Sequence, residues 1–200
     1  MNVEHLFTTP VVSDHLTLDN LALEDFCKKT IENFFVDKSA SPIYTKQTQL
    51  LDVNHPVIQP LLHAVHDRAN EVYHTLGMKK NTKLNIIRVW AQTGNTLHID
   101  VPHTHPTGFL SAVYYVKGTG TKENGILNLM SPVVALAHTM NPDLIETGNG
   151  FNAVRWEVYP ETGKLIMFPS WIVHSVSTNH LKEERISIAI DLSIFEESHD

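Results

Sequence analysis

Residues 164–195 read KLIMFPSWIVHSVSTNHLKEERISIAIDLSIF. Three short runs, 164–168, 172–177 and 185–195, are rich in β-branched and aromatic residues, and a Pro- and Trp-bearing turn separates the first two. In the last run Arg185 and Ser187 share one face of an extended chain, while Ile186, Ile188 and Ile190 occupy the other. Further β-rich runs precede these at 83–92, 109–116, 125–130 and 153–159. Turn formers divide them: Gly94-Asn95, Pro106-Thr107-Gly108, the stretch from Gly118 to Gly125, and Glu161-Thr162-Gly163. Many short strands with regular turn signals predict a β-sandwich or barrel over 81–200.

The first 80 residues have a different texture. Residues 5–12, HLFTTPVV, read as a short strand broken by Pro10. Asp19 or Asn20 can cap a helix running to about Phe35, with Leu23, Phe26, Cys27, Ile31, Phe34 and Phe35 as its apolar stripe. Residues 38–56 read mostly as loop. A second helix spans about Pro56 to Leu76, with Ile58, Leu61, Leu62, Val65, Ala69, Val72 and Tyr73 as its stripe and Gly77 at its end. Residues 131–152 form a long, less regular insertion; this segment, or the one around 40–55, is a candidate lid. The chain is therefore expected to be one domain, with two N-terminal helices supporting one sheet of the barrel from outside.

Composition bounds the function. The chain has 200 residues, 42% hydrophobic and 18% charged, which is a globular balance. A net charge of -7 argues against sequence-independent nucleic-acid binding, which needs a basic face. The single cysteine, Cys27, rules out an intrachain disulfide and reads as a buried apolar residue. Met1 to Val12 lacks a basic start followed by an apolar stretch, and no apolar run approaches membrane-spanning length, so a soluble, cytoplasmic protein is expected. Nothing in the sequence fixes an oligomeric state, and a homodimer stays open.

Thirteen histidines are an excess, and their placement matters. His63, His66 and His74 fall on the second helix with no matching third ligand, and read as structural or solvated. His103-Thr104-His105-Pro106 is different: at i,i+2 on an extended backbone, two imidazoles can reach one metal ion. His98-Ile99-Asp100 just upstream meets the same geometry and remains an alternative pair. His174 follows the turn Phe168-Pro169-Ser170-Trp171 and could complete a three-ligand facial site with His103 and His105. Arg185 and Ser187, eleven or more residues later, suit a carboxylate: the guanidinium fork binds it bidentately and the hydroxyl adds one bond.

Trp90, His103-Thr104-His105-Pro106, Phe109-Leu110-Ser111-Ala112-Val113-Tyr114-Tyr115, Phe168-Pro169-Ser170-Trp171, His174 and Arg185-Ile186-Ser187-Ile188 together carry a resemblance. They are similar to the 2-oxoglutarate–Fe(II) oxygenases common in marine bacteria and their phages, and Leu6-Phe7-Thr8-Thr9-Pro10 resembles that family's start. The resemblance spans most of the chain and is weakest at 35–80 and 131–152. It implies a double-stranded β-helix (jelly-roll, cupin-like) barrel, Fe(II), 2-oxoglutarate as cosubstrate, O2, and release of succinate and CO2 on hydroxylating a substrate it does not name. A phage-encoded enzyme acting in a host cytoplasm would fit the same resemblance. It favours His103, His105 and His174 as ligands over His98 and Asp100, because Trp90 to Tyr115 matches without a gap. It also implies that Arg185 and Ser187 hold the cosubstrate's far carboxylate, with Tyr115 adding a hydrogen bond and no catalytic side chain beyond the ligands. A cupin-type metal protein without 2-oxoglutarate and a non-catalytic binding barrel are the competing readings.

Overall fold

A computed structural model describes residues 1, 7–34, 46–47, 51–79, 81–133 and 141–196. After β1 (Val12–His15) come α1 (Asn20–Phe34), β2 (Lys46–Gln47) and α2 (Gln59–Thr75). The strands β3 (Thr82–Gly94), β4 (Asp100–His103), β5 (Leu110–Lys117) and β6 (Leu127–Met130) follow. A 3-10 turn (Pro142–Leu144) precedes β7 (Arg155–Val158), β8 (Lys164–Pro169), β9 (His174–Val176) and β10 (Arg185–Glu196). The strands form a six-stranded sheet in the order β1-β8-β5-β10-β3-β2 and a four-stranded sheet in the order β4-β9-β6-β7, with every recorded pairing antiparallel. This is the double-stranded β-helix architecture.

Both helices form for the reasons their stripes suggest. Asp19 caps α1 by accepting the Ala22 N–H at 3.0 Å. Leu23, Cys27 and Ile31 are buried on α1; the side chains of Phe34 and Phe35 lie outside the described residues. Burial pushes the Cys27 thiol up to about 12, so it is an inert core residue. Pro60 sits in the first turn of α2, and Gly77, at φ 67°, ends it. His66 bonds the Leu84 carbonyl at 3.1 Å and Asn70 at 3.1 Å, while His63 and His74 are exposed, so none of the three is near a ligand set.

Period-two alternation on β10 splits the interior into two cores. Ile186, Ile188 and Ile190 face outward into a cluster with Leu23, Cys27 and Ile31 of α1 and Leu61, Val65 and Ala69 of α2. Each buried Ile, Leu or Val among them contributes about 1.5–3 kcal/mol relative to exposure. The Tyr114 hydroxyl donates to Asn20 Oδ1 at 2.7 Å, pinning the start of α1 to the same sheet. The opposite face carries Tyr115, Leu127, Leu129, Ile166, Phe168 and Ile172 between the two sheets.

Two local expectations need correction. The N-terminal strand is Val12–His15, paired with β8, rather than 5–12; residues 7–11 are irregular, since Pro10 offers no N–H to a ladder, and residues 5–6 lie outside the described set. Residues 38–56, expected to be mostly loop, also include the two-residue strand β2, paired with β3. The strand expected over 172–177 starts only at His174, because residues 169–172 close a turn through Ile172 N–H to Pro169 O at 3.0 Å. Of the two candidate lids, residues 134–140 of the first and 40–45 and 48–50 of the second lie outside the described set. No helix among the described residues is long and apolar enough to cross a membrane.

Candidate metal and carboxylate site

Register places the side chains. Across the smaller sheet, His103, His174, Leu129 and Trp156 stand opposite one another in successive strands and so share one face. Across the larger sheet, Gln92, Ser187 and Tyr115 make one such row, and Arg88, Asp191, Ser111 and Phe168 another. These faces line one cavity of about 260 Å³ whose walls include His103, His105, His174, Asp100, Tyr115, Arg185 and Ser187.

The structure brings His103, His105 and His174 together: their ligand atoms lie within 4.8 Å of one another. His105 does not share a strand with His103, as the i,i+2 reading expected. Strand β4 stops at His103, and His105 is fixed beyond it by its N–H to the Ser170 carbonyl at 2.9 Å. Gly108 lets this loop close, since a Cβ there would sit 2.5 Å from Ser170 Oγ.

The hydrogen-bond partners set the tautomers. His103 Nδ1 is 2.7 Å from the Val101 carbonyl and His174 Nδ1 is 2.9 Å from the Ile172 carbonyl. A carbonyl only accepts, so each Nδ1 carries the proton and each Nε2 keeps its lone pair. His105 Nδ1 lies 2.6 Å from Asp191 Oδ1, with the same consequence. Ser111 also donates to Asp191 Oδ1 at 2.8 Å and stands 2.8 Å from Ser170 Oγ, so the support behind His105 is itself held. Metal-binding histidines are characteristically oriented in this way. Burial pushes His174 down to about 4; its bond to Ile172 opposes this and the rings of His103 and His105 add to it. His174 is therefore neutral and available as a ligand at physiological pH.

Arg185 is 2% exposed. Its Nη1 donates to the carbonyls of Asn124 and Gly125 at 3.1 and 3.3 Å, and its Nη2 donates to His98 Nδ1 at 2.9 Å. A guanidinium has five N–H groups, so donors remain for a ligand carboxylate. Burial lowers its pKa, while Tyr115 and Asp100 pull it back; arginine stays charged. Ser187 faces the same cavity. Burial, above all, pushes the Tyr115 phenol up to about 12, which keeps it a hydroxyl donor.

His98 and Asp100, the alternative ligand pair, are used otherwise. His98 turns to Arg185 and to Asp100, whose Oδ1 lies 3.2 Å from its Nε2. Asp191, Ser111 and Gln92 were not singled out from sequence. Asp191 had a signal: it falls on the Arg185–Ser187 face of an otherwise apolar strand. Gln92 and Ser111 had none. A second cavity of about 540 Å³, lined by Leu129, Met130, Val133, Phe151, Trp156 and Ile172 among others, lies on the smaller sheet beside His174.

A family model described as "Putative 2OG-Fe(II) oxygenase" matches residues 88–191. No curated protein matches the chain. Among solved structures, a Pseudomonas putida prolyl-4-hydroxylase superposes with TM-score 0.64 at 14% identity, covering 94% of this chain and 94% of that one. The carbocyclase SnoK from nogalamycin biosynthesis, described as non-heme and alpha-ketoglutarate dependent, gives 0.68 at 12%, covering 92% and 79%. HygX from Streptomyces hygroscopicus, crystallised with nickel and 2-oxoglutarate, gives 0.61 at 13%, covering 93% and 83%. At these identities the superpositions speak for the fold.

Proposed function

Since this chain belongs to the 2-oxoglutarate and Fe(II)-dependent oxygenase family, we propose that His103, His105 and His174 hold Fe(II) and that Arg185, Ser187 and Tyr115 hold the far carboxylate of 2-oxoglutarate. The supporting observation is that three histidines, each with Nδ1 engaged by an acceptor, meet in a cavity that also contains a buried arginine with donors to spare. The donor set fits the ion: imidazole nitrogen suits Fe(II), and a facial set of three leaves positions open for a bidentate 2-oxo acid and oxygen. A cupin-type protein that does not use 2-oxoglutarate has no need of a buried arginine in that cavity.

Bound iron would supply the oxidising chemistry, consuming O2 and 2-oxoglutarate and yielding succinate, CO2 and a substrate in which C–H has become C–OH. The chain supplies orientation. Arg185 anchors one end of the cosubstrate as a charged fork, and the Tyr115 hydroxyl donates beside it. Asp191, Ser111 and Ser170 keep the His105 ring aimed. Phe168 and Leu127 form apolar parts of the cavity wall. The apolar second cavity beside His174 is the side from which a substrate C–H would approach.

Succinate formation from 2-oxoglutarate tests the reading. The purified protein should form succinate only with Fe(II) and O2 present, slowly without substrate, and His174→Ala should lose both this activity and iron. Undiminished iron in His174→Ala removes that ligand; no succinate under any condition removes the reaction.

A further inference from the structure

The cavity contains a negative charge that the cosubstrate reading does not use. Asp100 lies on its wall, near the arginine that would receive a carboxylate. A direct Asp100–Arg185 ion pair would occupy the fork and oppose an anionic ligand. The structure interposes His98 instead. The Arg185 N–H groups can only donate, so His98 Nδ1, at 2.9 Å from Nη2, must accept. The ring proton is then on Nε2 and is donated to Asp100 Oδ1 at 3.2 Å. Asp100 Oδ2 accepts from Gln92 Nε2 at 2.9 Å. Burial raises the Asp100 pKa, but its bond from His98 and the charge of Arg185 act against this, the net shift is downward, and it stays ionised.

His98 and Arg185 are both held from behind. His98 is 1% exposed, and its backbone is clamped by the Asn95 carbonyl at 2.9 Å and the Asn179 N–H at 3.0 Å. Glycines let the backbone press on the guanidinium from two sides. A Cβ on Gly94 would sit 2.7 Å from Arg185 Nη2 and 2.9 Å from His98 Nδ1, and one on Gly125 would collide with Arg185 Nη1. A bulge in β4 turns Asp100 to the same face as His103 despite their odd separation, which brings the carboxylate within reach of His98.

We infer that Gln92, Asp100 and His98 form a positioning relay that fixes the Arg185 fork toward the cavity while leaving part of it unpaired for a dicarboxylate ligand. The relay rests on the cosubstrate reading for its ligand but not for its geometry. His98 takes one N–H from Arg185 as a neutral acceptor, and Asp100 locks the tautomer that makes this possible. The negative charge thereby steadies the arginine at one remove instead of neutralising it in contact.

Two measurements separate the relay from the cosubstrate reading. The first is calorimetric titration of 2-oxoglutarate into anaerobic Fe(II)-loaded protein. His98→Phe, which keeps a ring and removes the acceptor, should weaken binding about 10- to 100-fold, the range for one hydrogen bond to a charged group. Iron content should be unchanged, and KM for 2-oxoglutarate should rise more than kcat falls. His98→Gln, whose carbonyl can still accept, should recover most of the affinity. The second is nitrogen-15 NMR of the metal-free parent, which should show His98 with Nδ1 unprotonated and a slowly exchanging Arg185 side chain. That slow exchange should be lost in His98→Phe and kept in His98→Gln. If His98→Phe fails to fold, Asp100→Asn takes its place: its amide oxygen can accept from His98 or Gln92 but its nitrogen only donates, and about a 3- to 10-fold loss is expected. Parental affinity in the folded variant, loss of iron with it, or a His98 ring protonated on Nδ1 overturns the relay. A parent that shows the expected spectra yet binds no 2-oxoglutarate overturns the cosubstrate reading and leaves the relay standing.

Discussion

Acidifying the metal-free protein should expose His174 before any other group with a displaced pKa. This ring is 5% exposed, and burial holds its pKa near 4, against about 6.5 in an unfolded chain. Above pH 6.5 the ring is neutral in both states and contributes no slope. Below it the unfolded chain binds a proton that the folded chain refuses, so stability falls as pH falls. The decline should run from about pH 6.5 to about 4, where the folded ring also titrates. The gap of roughly 2.5 pH units, at 1.36 kcal/mol each, sets a ceiling of about 3 kcal/mol. Asp14, Glu24 and Asp100 have lowered pKa values, and their own losses begin only below about pH 4.5. Urea unfolding of chelator-treated protein at half-unit steps from pH 7.5 to 4.5 measures the slope, with His174→Asn as the reference. The parent should lose about 2–3 kcal/mol more than the variant over that range. Equal slopes in the two proteins would refute the placement of His174 in a buried, histidine-lined pocket.

The other expectations follow the same contacts. Arg185→Ala should raise the dissociation constant for 2-oxoglutarate by at least about 30-fold while iron content holds, since a buried charged partner is removed; calorimetry at matched iron loading decides it, and parental affinity would end the assignment. Asp191→Asn should weaken metal binding about 10- to 100-fold by removing the carboxylate behind His105, as read by competition with a chromophoric chelator. Gly125→Ala places a side chain at φ 88° and against Arg185 Nη1. It should cost about 1–3 kcal/mol in urea unfolding and weaken 2-oxoglutarate binding as well.

Local periodicity made the helices and most strands legible. The α2 stripe from Ile58 to Tyr73 is buried throughout, because its 3.6-residue repeat needs only one partner surface. The Arg185–Ser187 pairing on one strand face and its approach to His174 followed from the two-residue repeat and from the family resemblance. The arrangement around His103 was less legible. Two histidines at i,i+2 read as one strand, yet β4 ends between them and the loop to β5 delivers His105. The role of His98 was beyond reach for a different reason. His-x-Asp spells a metal-ligand pair locally, and only the return of Arg185, 87 residues later, shows where the ring turns. A motif fixes what a side chain can bind; the fold decides what it meets.

Strand β10 shows why these features come as a set. Its outward isoleucines bury against both helices, so the strand cannot slip by one residue without exposing them and driving Arg185, Ser187 and Asp191 into the apolar layer. The inward face holds the buried Arg185 on the cavity wall and, six residues on, Asp191, which contacts His105. The same strand therefore sets the distance between the three-histidine cluster and the Arg185 guanidinium. On the proposed ligand set no carboxylate would contact the metal directly; Asp191 instead contacts His105 from behind, at 2.6 Å. Through that contact the Asp191 carboxylate would make the His105 imidazole a more electron-rich ligand in the proposed set than a free neutral ring is.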